Sequence, residues 1–356
     1  MILLKYILRP FATLYGFIML MRRFLYNKNV FKRHTFELPI ILVGNISVGG
    51  TGKTPHVEYI IRLLTDNYRV GCISRGYKRK SKGFIRANCE ENATTIGDEP
   101  AQYKTKFKDK IDIVVCEDRV TGIEKMLKFD PKPDIIIMDD GYQHLPVKAG
   151  LSILLTDFYH LYTKDYPMPS GRLREYKSAA NEADIIVVTK CPTVVSPLEI
   201  KNIKAELKLK DHQSLMFSHL KYHNWVPLTE AAQHRGFCKK CTQILLVSGI
   251  ADSYPFYDYA RSKCFELKEL KFGDHQAFSP KDIQTIKHEY DGMLSSNKII
   301  LTTEKDAMRL SCVDDQKELN LLPIFYVPIN VEFQEPYGKM FNKKIFDYVR
   351  KNTTNG

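Results

Sequence analysis

Long hydrophobic runs are missing from this sequence of 356 residues. A helix needs about 20 apolar residues to cross a bilayer, and the apolar run after Pro10 is roughly half as long, with Lys5 and Arg9 before it. The start of the chain also lacks the apolar core and the small-residue cleavage site of a secretory signal, so we expect no export. Internal repeats and low-complexity tracts are absent as well. We therefore expect a globular protein that neither spans a membrane nor is secreted.

Acidic residues are scarce at the beginning of the chain, where Glu37 is the first one. Bulky apolar side chains alternate there with the basic residues Lys5, Arg9, Arg22, Arg23, Lys28, Lys32 and Arg33. A helix lying in a membrane interface fits this mixture, because its basic side chains reach lipid headgroups and each gains about 1 kcal/mol near an anionic leaflet. We predict such an interfacial helix in residues 1–35. A core helix packed on the first domain is the alternative.

The chain as a whole is basic, with a formal net charge of +12. An anionic partner is therefore expected, and nucleotide, nucleic acid and anionic lipid all have the right sign. No compact motif for reading RNA or DNA accompanies the charge, so we expect no nucleic-acid partner. The 44% hydrophobic and 26% charged residues are typical of a soluble globular protein long enough for two cores.

Cysteine spacing gives little sign of disulfides or metal binding. The eight cysteines are scattered irregularly, which predicts reduced and mostly structural thiols. Cys238 and Cys241 form the one pair with metal-like spacing, and no second Cys or His pair follows at zinc-finger distance. We therefore expect no metal site at this pair.

Short apolar runs alternate with helical patterns over the first half of the chain, as in a parallel α/β sheet. The runs predicted as buried strands are 39–43, 70–74, 111–116, 135–138, 153–155 and 185–189, and residues 55–66 predict a helix after the first of them. Residues 196–230 predict a helix and a connecting strand, and a second α/β segment begins at Ile244. We predict an α/β fold with a mostly parallel phosphate-loop domain (36–220), a smaller α/β domain (221–335), and a C-terminal helix and tail (336–356).

A glycine-rich loop follows the first predicted strand directly. Its residues are Ser47, Val48, Gly49, Gly50, Thr51, Gly52, Lys53 and Thr54. A loop of this composition between a strand and a helix directs several backbone N–H groups at one anion. Lys53 then reaches the β- and γ-phosphates of ATP, and the Thr54 hydroxyl binds Mg²⁺. The usual pattern has glycine at the place of Ser47, but the strand-loop-helix context still predicts a nucleotide site.

A second motif, which is acidic, lies at the end of the predicted strand 135–138. Asp139 and Asp140 follow the strand, and in phosphate-loop enzymes such a carboxylate binds the metal directly or through water. Gln143 and His144 come next and add polar groups at the carboxyl edge of the sheet, where ligands bind in open α/β folds. We predict a Mg²⁺ site formed by Thr54 with Asp139 or Asp140. An ordinary strand end with solvated acids is the alternative.

Taken in order along the chain, nine short motifs resemble those of the tetraacyldisaccharide 4′-kinases, which phosphorylate the precursor of lipid A. The matching segments are 43–55, 74–77, 97–100, 139–144, 173–175, 188–190, 248–251, 272–275 and 303–307. Serine at the start of the loop is usual in that family. Two departures from the family pattern concern substrate binding. Gln276 stands where the family often has a second histidine, and residues 169–176 read Pro-Ser-Gly-Arg-Leu-Arg-Glu-Tyr where the family has Pro-Ala-Gly-Pro-Leu-Arg-Glu-Pro.

The resemblance implies a two-domain kinase held peripherally at the cytoplasmic face of the inner membrane, and we expect a monomer. It implies transfer of the ATP γ-phosphate to the 4′-hydroxyl of a tetraacyl disaccharide 1-phosphate. The family's catalytic pair corresponds to Asp98, which accepts the hydroxyl proton, and His275, which orients Asp98 or adjusts its pKa. Glu175 and Gln143 correspond to positions near the nucleotide and the metal.

A regulatory or metal-delivery phosphate-loop NTPase is the alternative function. Such a protein shares the glycine-rich loop and the acidic strand end, but it needs neither a lipid-binding helix nor the Asp98–His275 pair. A GTPase of this kind normally carries Asn-Lys-X-Asp after a later strand, whereas residues 189–192 read Thr-Lys-Cys-Pro. The kinase is therefore the favoured interpretation.

Overall fold

The computed structural model describes residues 2–88, 91–235, 241–250, 252–274, 276–313 and 316–353, with side chains from residue 7 onward. The strands in these ranges are β1 (Ile40–Gly44), β2 (Val70–Ser74), β3 (Ile85–Arg86), β4 (Ile111–Val115), β5 (Ile135–Asp139), β6 (Leu151–Asp157), β7 (Ile185–Thr189), β8 (Ser214–Tyr222), β9 (Val226–Pro227), β10 (Cys241–Ser248), β11 (Cys264–Lys271), β12 (Lys298–Thr303), β13 (Ile324–Val327) and β14 (Ile329–Phe333). The helices are α1 (Ile2–Asn27), α2 (Lys53–Leu64), α3 (Ala93–Ile96), α4 (Asp98–Phe107), α5 (Arg119–Met126), α6 (Pro197–Leu207), α7 (Glu230–Arg235), α8 (Tyr254–Arg261), α9 (Pro280–Asp291), α10 (Glu304–Leu310), α11 (Gln316–Asn320) and α12 (Tyr337–Thr353).

The larger sheet has β1 near its middle. Its nine strands within the described ranges follow the spatial order β14-β8-β7-β6-β1-β5-β2-β4-β3, with antiparallel strands only at the two edges. Ile40 and Leu42 pack in one hydrophobic cluster, and Ile41 and Val43 pack in another on the opposite face. Because both faces are covered, no position of β1 meets solvent, and its sequence is a continuous apolar run.

Helices cover both faces of this sheet. The buried residues Val57, Ile60, Ile61 and Leu64 give α2 an apolar stripe at helical spacing. This stripe lies in the same hydrophobic cluster as residues of α12, and α5 and α6 pack in the cluster on the other face. The sequence predicted the start of this helix at Pro55, whereas α2 begins two residues earlier, at Lys53.

The smaller sheet follows the same plan. Its strand order is β11-β10-β12-β13-β9, with the first four strands parallel and β9 antiparallel to β13. Ile244 and Leu246 of β10 belong to one cluster with α8, while Leu245 and Val247 belong to another with α9. Two sheets of this kind confirm the predicted α/β fold with a mostly parallel larger sheet and a smaller α/β unit.

Two neighbouring strands connect the sheets. The chain leaves the larger sheet after β8 and returns to it with β14, which pairs antiparallel with β8 from Ile329 opposite Tyr222 to Phe333 opposite Ser218. After β14, α12 packs back onto the larger sheet. The domain boundaries at residues 35, 220 and 335 stay a prediction.

Helix α1 presents two different faces. Its apolar side chains Ile7, Phe11, Leu14, Phe17, Ile18 and Phe24 are each more than half exposed. Ala12 and Arg23, in contrast, are buried against the rest of the molecule. Among the described residues, no helix combines the length and apolar character required for a membrane crossing.

Candidate active site

The glycine-rich loop connects β1 to α2 at the carboxyl edge of the larger sheet. Gly49 has a φ of 109°, and Gly52, the N-cap of α2, has a φ of 81°, values that residues with a Cβ rarely adopt. Lys53 and Thr54 form the first turn of α2, where the helix dipole favours an anion. The other loop positions are Ser47, Val48, Gly50 and Thr51. The loop therefore has glycines at two left-handed positions and ends at a helix N-terminus that favours an anion.

Neighbouring segments hold this loop in place from three sides. The Val48 N–H donates to the carbonyl of Arg172 at 2.7 Å. The hydroxyl of Thr189, at the end of β7, donates to the carbonyl of Thr51 at 2.9 Å. The Asn45 side-chain amide donates to the Thr51 hydroxyl at 2.8 Å. These contacts fix the loop before any ligand binds, which lowers the entropic cost of binding.

Lys53 points toward the acidic end of β5. Its Nζ lies 3.2 Å from Asn45 Oδ1 and 3.7 Å from Asp140 Oδ1. Arg174 binds both oxygens of Asp140, at 2.9 and 3.2 Å. Burial alone would raise the pKa of Asp140, but Lys53 and Arg174 outweigh it and hold this pKa well below its usual range. Asp140 is therefore an anion held by two cations at the phosphate loop.

Asp139 is fully enclosed beside the end of β1. The parallel register places it opposite Val43, and its Oδ2 accepts a hydrogen bond of 2.9 Å from Tyr103. Its Oδ1 is buried and has no hydrogen-bond partner among the described residues. Burial, reinforced by Glu99 and Asp140, raises the pKa of Asp139 to about 6. A buried carboxylate oxygen without a partner normally binds a group that the protein alone does not supply.

A magnesium ion would satisfy this oxygen. Thr54 is also buried, at the first turn of α2. In the described part of the chain, no group of three or more His, Cys, Asp or Glu side chains could hold a metal ion by itself. Mg²⁺ is usually bound by one or two carboxylates together with substrate phosphates and waters. Thr54, Asp139 and Asp140 fit that chemistry.

Cys238 lies outside the described residues, so the expectation for its pair with Cys241 stays untested.

Gln143 and His144 lie on the segment that follows these two carboxylates. The Gln143 side-chain amide donates to the carbonyl of Asn45 at 2.9 Å, which ties the acidic segment to the start of the phosphate loop. Burial, and to a lesser extent Arg119, lowers the pKa of His144 to about 4. His144 is therefore a neutral imidazole at neutral pH.

Glu175 follows Arg174 but points in another direction, toward α1. It is buried, and its Oε2 lies 3.3 Å from Arg23 Nε. Burial raises the pKa of Glu175, although Arg23 opposes the shift. Arg22 also contacts this region, through a 3.2 Å hydrogen bond to the carbonyl of Gln143. Basic side chains expected to reach lipid headgroups thus bind the protein itself.

Asp98 begins α4 and is bound by the smaller sheet's helix α10. Arg309 donates two hydrogen bonds to Asp98 Oδ2, at 2.9 and 2.7 Å. Lys78, which follows two residues that lie close to Gly97 just before α4, donates to the carbonyl of Asp274 at 3.4 Å. His275, the next residue, lies outside the described residues. The pairing of Asp98 with His275 therefore stays a prediction.

Three polar residues of the site were not predicted from the sequence. Asn45 contacts Thr51 and Lys53, Arg174 binds Asp140, and Arg309 binds Asp98. Asn45 and Arg174 both lie inside motifs that the resemblance had already marked, residues 43–55 and 173–175. Arg309 lies two residues beyond such a motif, and its partner is 211 residues away.

The class of the protein follows from how β1 and β5 are arranged. In phosphate-loop nucleotide-binding proteins, the loop follows one parallel strand and an acid at the end of another strand binds the metal. The molecule has this arrangement at its central pair of strands. The sequence model of the tetraacyldisaccharide-1-P 4′-kinases matches residues 4–346, so the chain belongs to that family. The resemblance drawn from the motifs is confirmed.

Relatives and a solved structure agree with this assignment. The tetraacyldisaccharide 4′-kinase of Flavobacterium psychrophilum is 43% identical over 355 residues, covering 99% of each chain. That of Bacteroides fragilis is 42% identical over 356 residues, covering 98% of this chain and 94% of the relative. The crystal structure of LpxK from Aquifex aeolicus, an "apo" form in complex with ATP, has a TM-score of 0.70 and 27% identity, covering 97% of this chain and 99% of that one.

Proposed function

We propose that this protein is an ATP-dependent kinase that phosphorylates the 4′-hydroxyl of a tetraacyl disaccharide 1-phosphate during lipid A biosynthesis. The observation that carries the proposal is the match of nearly the whole chain to a family with this activity in its name. The loop with Lys53 next to Asp140 supplies the corresponding phosphate chemistry. A regulatory NTPase would explain the loop, but not the family membership.

The loop and the first turn of α2 would bind the phosphates of ATP. Phosphoryl transfer mainly requires positioning and stabilisation of charge, because its transition state is loose. Backbone N–H groups around Gly49 and Gly52 would bind phosphate oxygens, and Lys53 would leave its weak contact with Asp140 for the β- and γ-phosphates. Ser47, Val48, Gly50 and Thr51 complete this cradle.

Thr54, Asp139 and Asp140 would hold Mg²⁺. The unpartnered Oδ1 of Asp139 supports this assignment, since a bound cation would satisfy it. When bound, the ion neutralises charge on the phosphate oxygens. Gln143 would keep the acidic segment in register with the loop through Asn45. Glu175 would hold α1 beside this segment through its buried ion pair with Arg23.

Asp98 would accept the proton of the 4′-hydroxyl as that oxygen bonds to the γ-phosphorus and ADP leaves. Its position at the start of α4, between the two sheets, suits an acceptor that enters between them. His275 would orient Asp98 or adjust its proton affinity. Both roles rest on the family resemblance.

We further propose that the protein works as a monomer bound peripherally at the cytoplasmic face of the inner membrane. The exposed residues Ile7, Phe11, Leu14, Ile18 and Met21 recur at helical spacing and form one apolar stripe on α1. An interfacial helix of this kind would place the site next to a substrate whose acyl chains remain in the bilayer.

A transfer assay tests this function. The full chain is incubated with γ-labelled ATP, Mg²⁺ and the tetraacyl disaccharide 1-phosphate in mixed micelles. The lipid is then separated, its label is counted, and its mass is measured by mass spectrometry. We expect label in the lipid and the mass of one added phosphate. Hydrolysis of ATP at the same rate with and without lipid, and no labelled lipid, would instead support the regulatory NTPase.

A further inference from the structure

Arg309 binds the proposed catalytic base through two of its nitrogens. Nε and one terminal nitrogen donate to the same oxygen of Asp98, at 2.9 and 2.7 Å, and both side chains are mostly buried. We infer that Arg309 is a positioning residue, which fixes the orientation of the Asp98 carboxylate and keeps it ionised. The inference rests on the proposed function, because the role of Asp98 is itself proposed.

The guanidinium of Arg309 is itself rigidly held. Its other terminal nitrogen donates to the carbonyl of Gly249 and to Asp306 Oδ1, both at 2.8 Å. Asp306 is completely buried, and its second oxygen accepts hydrogen bonds from the Gly249 N–H at 3.0 Å and the Thr303 hydroxyl at 2.7 Å. A planar guanidinium held by several partners has one orientation, and it transmits that orientation to Asp98.

The charge of Arg309 is also secure. Burial would lower the pKa of the guanidinium, but Asp306 and then Asp98 outweigh this effect and raise it. A permanent cation in contact with Asp98 disfavours protonation of the carboxylate. The cost is a weaker base. A loose phosphoryl-transfer transition state demands little base strength, so orientation and ionisation count for more than proton affinity.

Arg309 is not needed merely to fasten α4 to α10. Lys305 of α10 contacts Glu99 of α4 at 2.6 Å. Lys106 of α4 contacts Glu304 of α10 at 2.6 Å. Two further ion pairs therefore join the same two helices. What distinguishes the Asp98–Arg309 pair is that one partner is the proposed base, so its loss should alter chemistry rather than only the contact between helices.

The test compares steady-state kinetics of the full chain from pH 5 to 9. Arg309→Met should lower kcat by about 10- to 100-fold, which is no more than the lower end of what general-base catalysis contributes, because Asp98 itself remains, and it should change KM for ATP much less. The acid limb of the pH–rate profile of Arg309→Met should move to higher pH, because Asp98 takes up a proton more easily when the neighbouring cation is gone. Lys106→Met, which breaks the pair with Glu304 between the same two helices, should leave the acid limb in place. Thermal melting and binding of an ATP analogue report whether each variant is folded.

The outcomes separate the inference from the function on which it rests. An unshifted acid limb in Arg309→Met would overturn the inference and leave Arg309 a structural tie. If Arg309→Met does not fold, Arg309→Lys carries the test, because it keeps the charge but loses the planar fork. It should lower kcat with little change in KM for ATP, and a wild-type kcat would overturn the inference. Wild-type kcat in Asp98→Asn would instead contradict the proposed base.

Discussion

Arg23 of α1 and Glu175 form an ion pair that is almost entirely withdrawn from solvent. The Nε and Oε2 atoms lie 3.3 Å apart, and the two side chains are 8% and 1% exposed. Arg23 also donates to the carbonyl of Tyr142 at 3.1 Å and to Glu182 at 2.7 Å. The inner face of α1 is therefore bound to the segments that carry the proposed metal and phosphate residues, while its outer face remains apolar.

Loss of Arg23 should destabilise the fold. Arg23→Met leaves the Glu175 carboxylate buried without its cation, and breaking a buried pair in this way costs about 3 kcal/mol. We expect the free energy of unfolding, measured by urea denaturation, to fall by that amount. Lys28→Met, which removes an exposed charge from the same region, is the control and should change it by less than about 0.5 kcal/mol. Equal effects of both substitutions would show that the pair contributes nothing.

The outer face of α1 should control membrane binding. The triple variant Phe11→Ser, Leu14→Ser, Ile18→Ser removes apolar area from side chains that are 62%, 59% and 54% exposed. We expect it to lose most of its binding to anionic vesicles in a flotation assay while its melting temperature stays close to wild type.

A matched triple variant controls for the loss of exposed apolar area. Val194, Leu198 and Leu294 are 82%, 66% and 97% exposed and lie far from α1 in sequence. Replacing these three by serine should leave vesicle binding intact. If the α1 variant floats with vesicles as well as the control does, another surface anchors the protein, and the basic helix α12 becomes the first candidate.

Lys53 should be essential for turnover. Lys53→Ala removes the cation proposed for the β- and γ-phosphates, and loss of one such charge-stabilising donor costs about 100-fold or more in kcat. The melting temperature should change little, because Arg174 still binds both oxygens of Asp140 when the contacts of Lys53 with Asn45 and Asp140 are lost. Lys201→Ala, on the exposed side of α6, is the control. Wild-type turnover of a folded Lys53→Ala variant would contradict the phosphate-site assignment.

His56 should make the fold sensitive to mild acid. It is buried between the carbonyl of Gly52 at 2.7 Å and the Ser218 hydroxyl at 2.9 Å. Burial lowers the pKa of His56 from 6.5 to about 4. As the pH falls, His56 is therefore protonated in the unfolded chain before it is protonated in the folded one. The contribution of neutral His56 to the free energy of unfolding is complete above pH 6.5 and is lost as the pH falls toward 4.

The size of this loss can be measured by denaturation at several pH values. The shift corresponds to roughly 3 kcal/mol between pH 6.5 and 4. His56→Gln should have a visibly shallower pH dependence of the free energy of unfolding over this interval. His212→Gln, which replaces an exposed histidine, should keep the wild-type slope. Parallel curves for His56→Gln and the wild type would mean that His56 is not the titrating group.

Local patterns were sufficient to predict the centre of the fold. The apolar run of β1, the glycine-rich loop and the acids after β5 are each written within a few neighbouring residues, and parallel pairing then brings Val43 next to Asp139. The start of α2 was predicted two residues too late, at Pro55, because Lys53 and Thr54 are helical although a glycine comes just before them.

Contacts between distant segments could not be predicted in this way. Asp98 and Arg309 are 211 residues apart, and neither has a local pattern that names the other. The inward direction of Arg23 was missed for a similar reason. Basic residues between apolar ones predict a membrane interface equally well whether they face lipid or a buried glutamate 152 residues away.

The central claim is that this protein phosphorylates one particular hydroxyl, and two acceptors test it directly. The full chain with ATP and Mg²⁺ is given either the tetraacyl disaccharide 1-phosphate or its 4′-deoxy analogue in the same mixed micelles. The initial rate of lipid phosphorylation is then compared. The account predicts stoichiometric phosphorylation of the first acceptor, with the new phosphate located at the 4′ position by ³¹P NMR, and none of the second. Equal phosphorylation of both acceptors, or of neither, would contradict it.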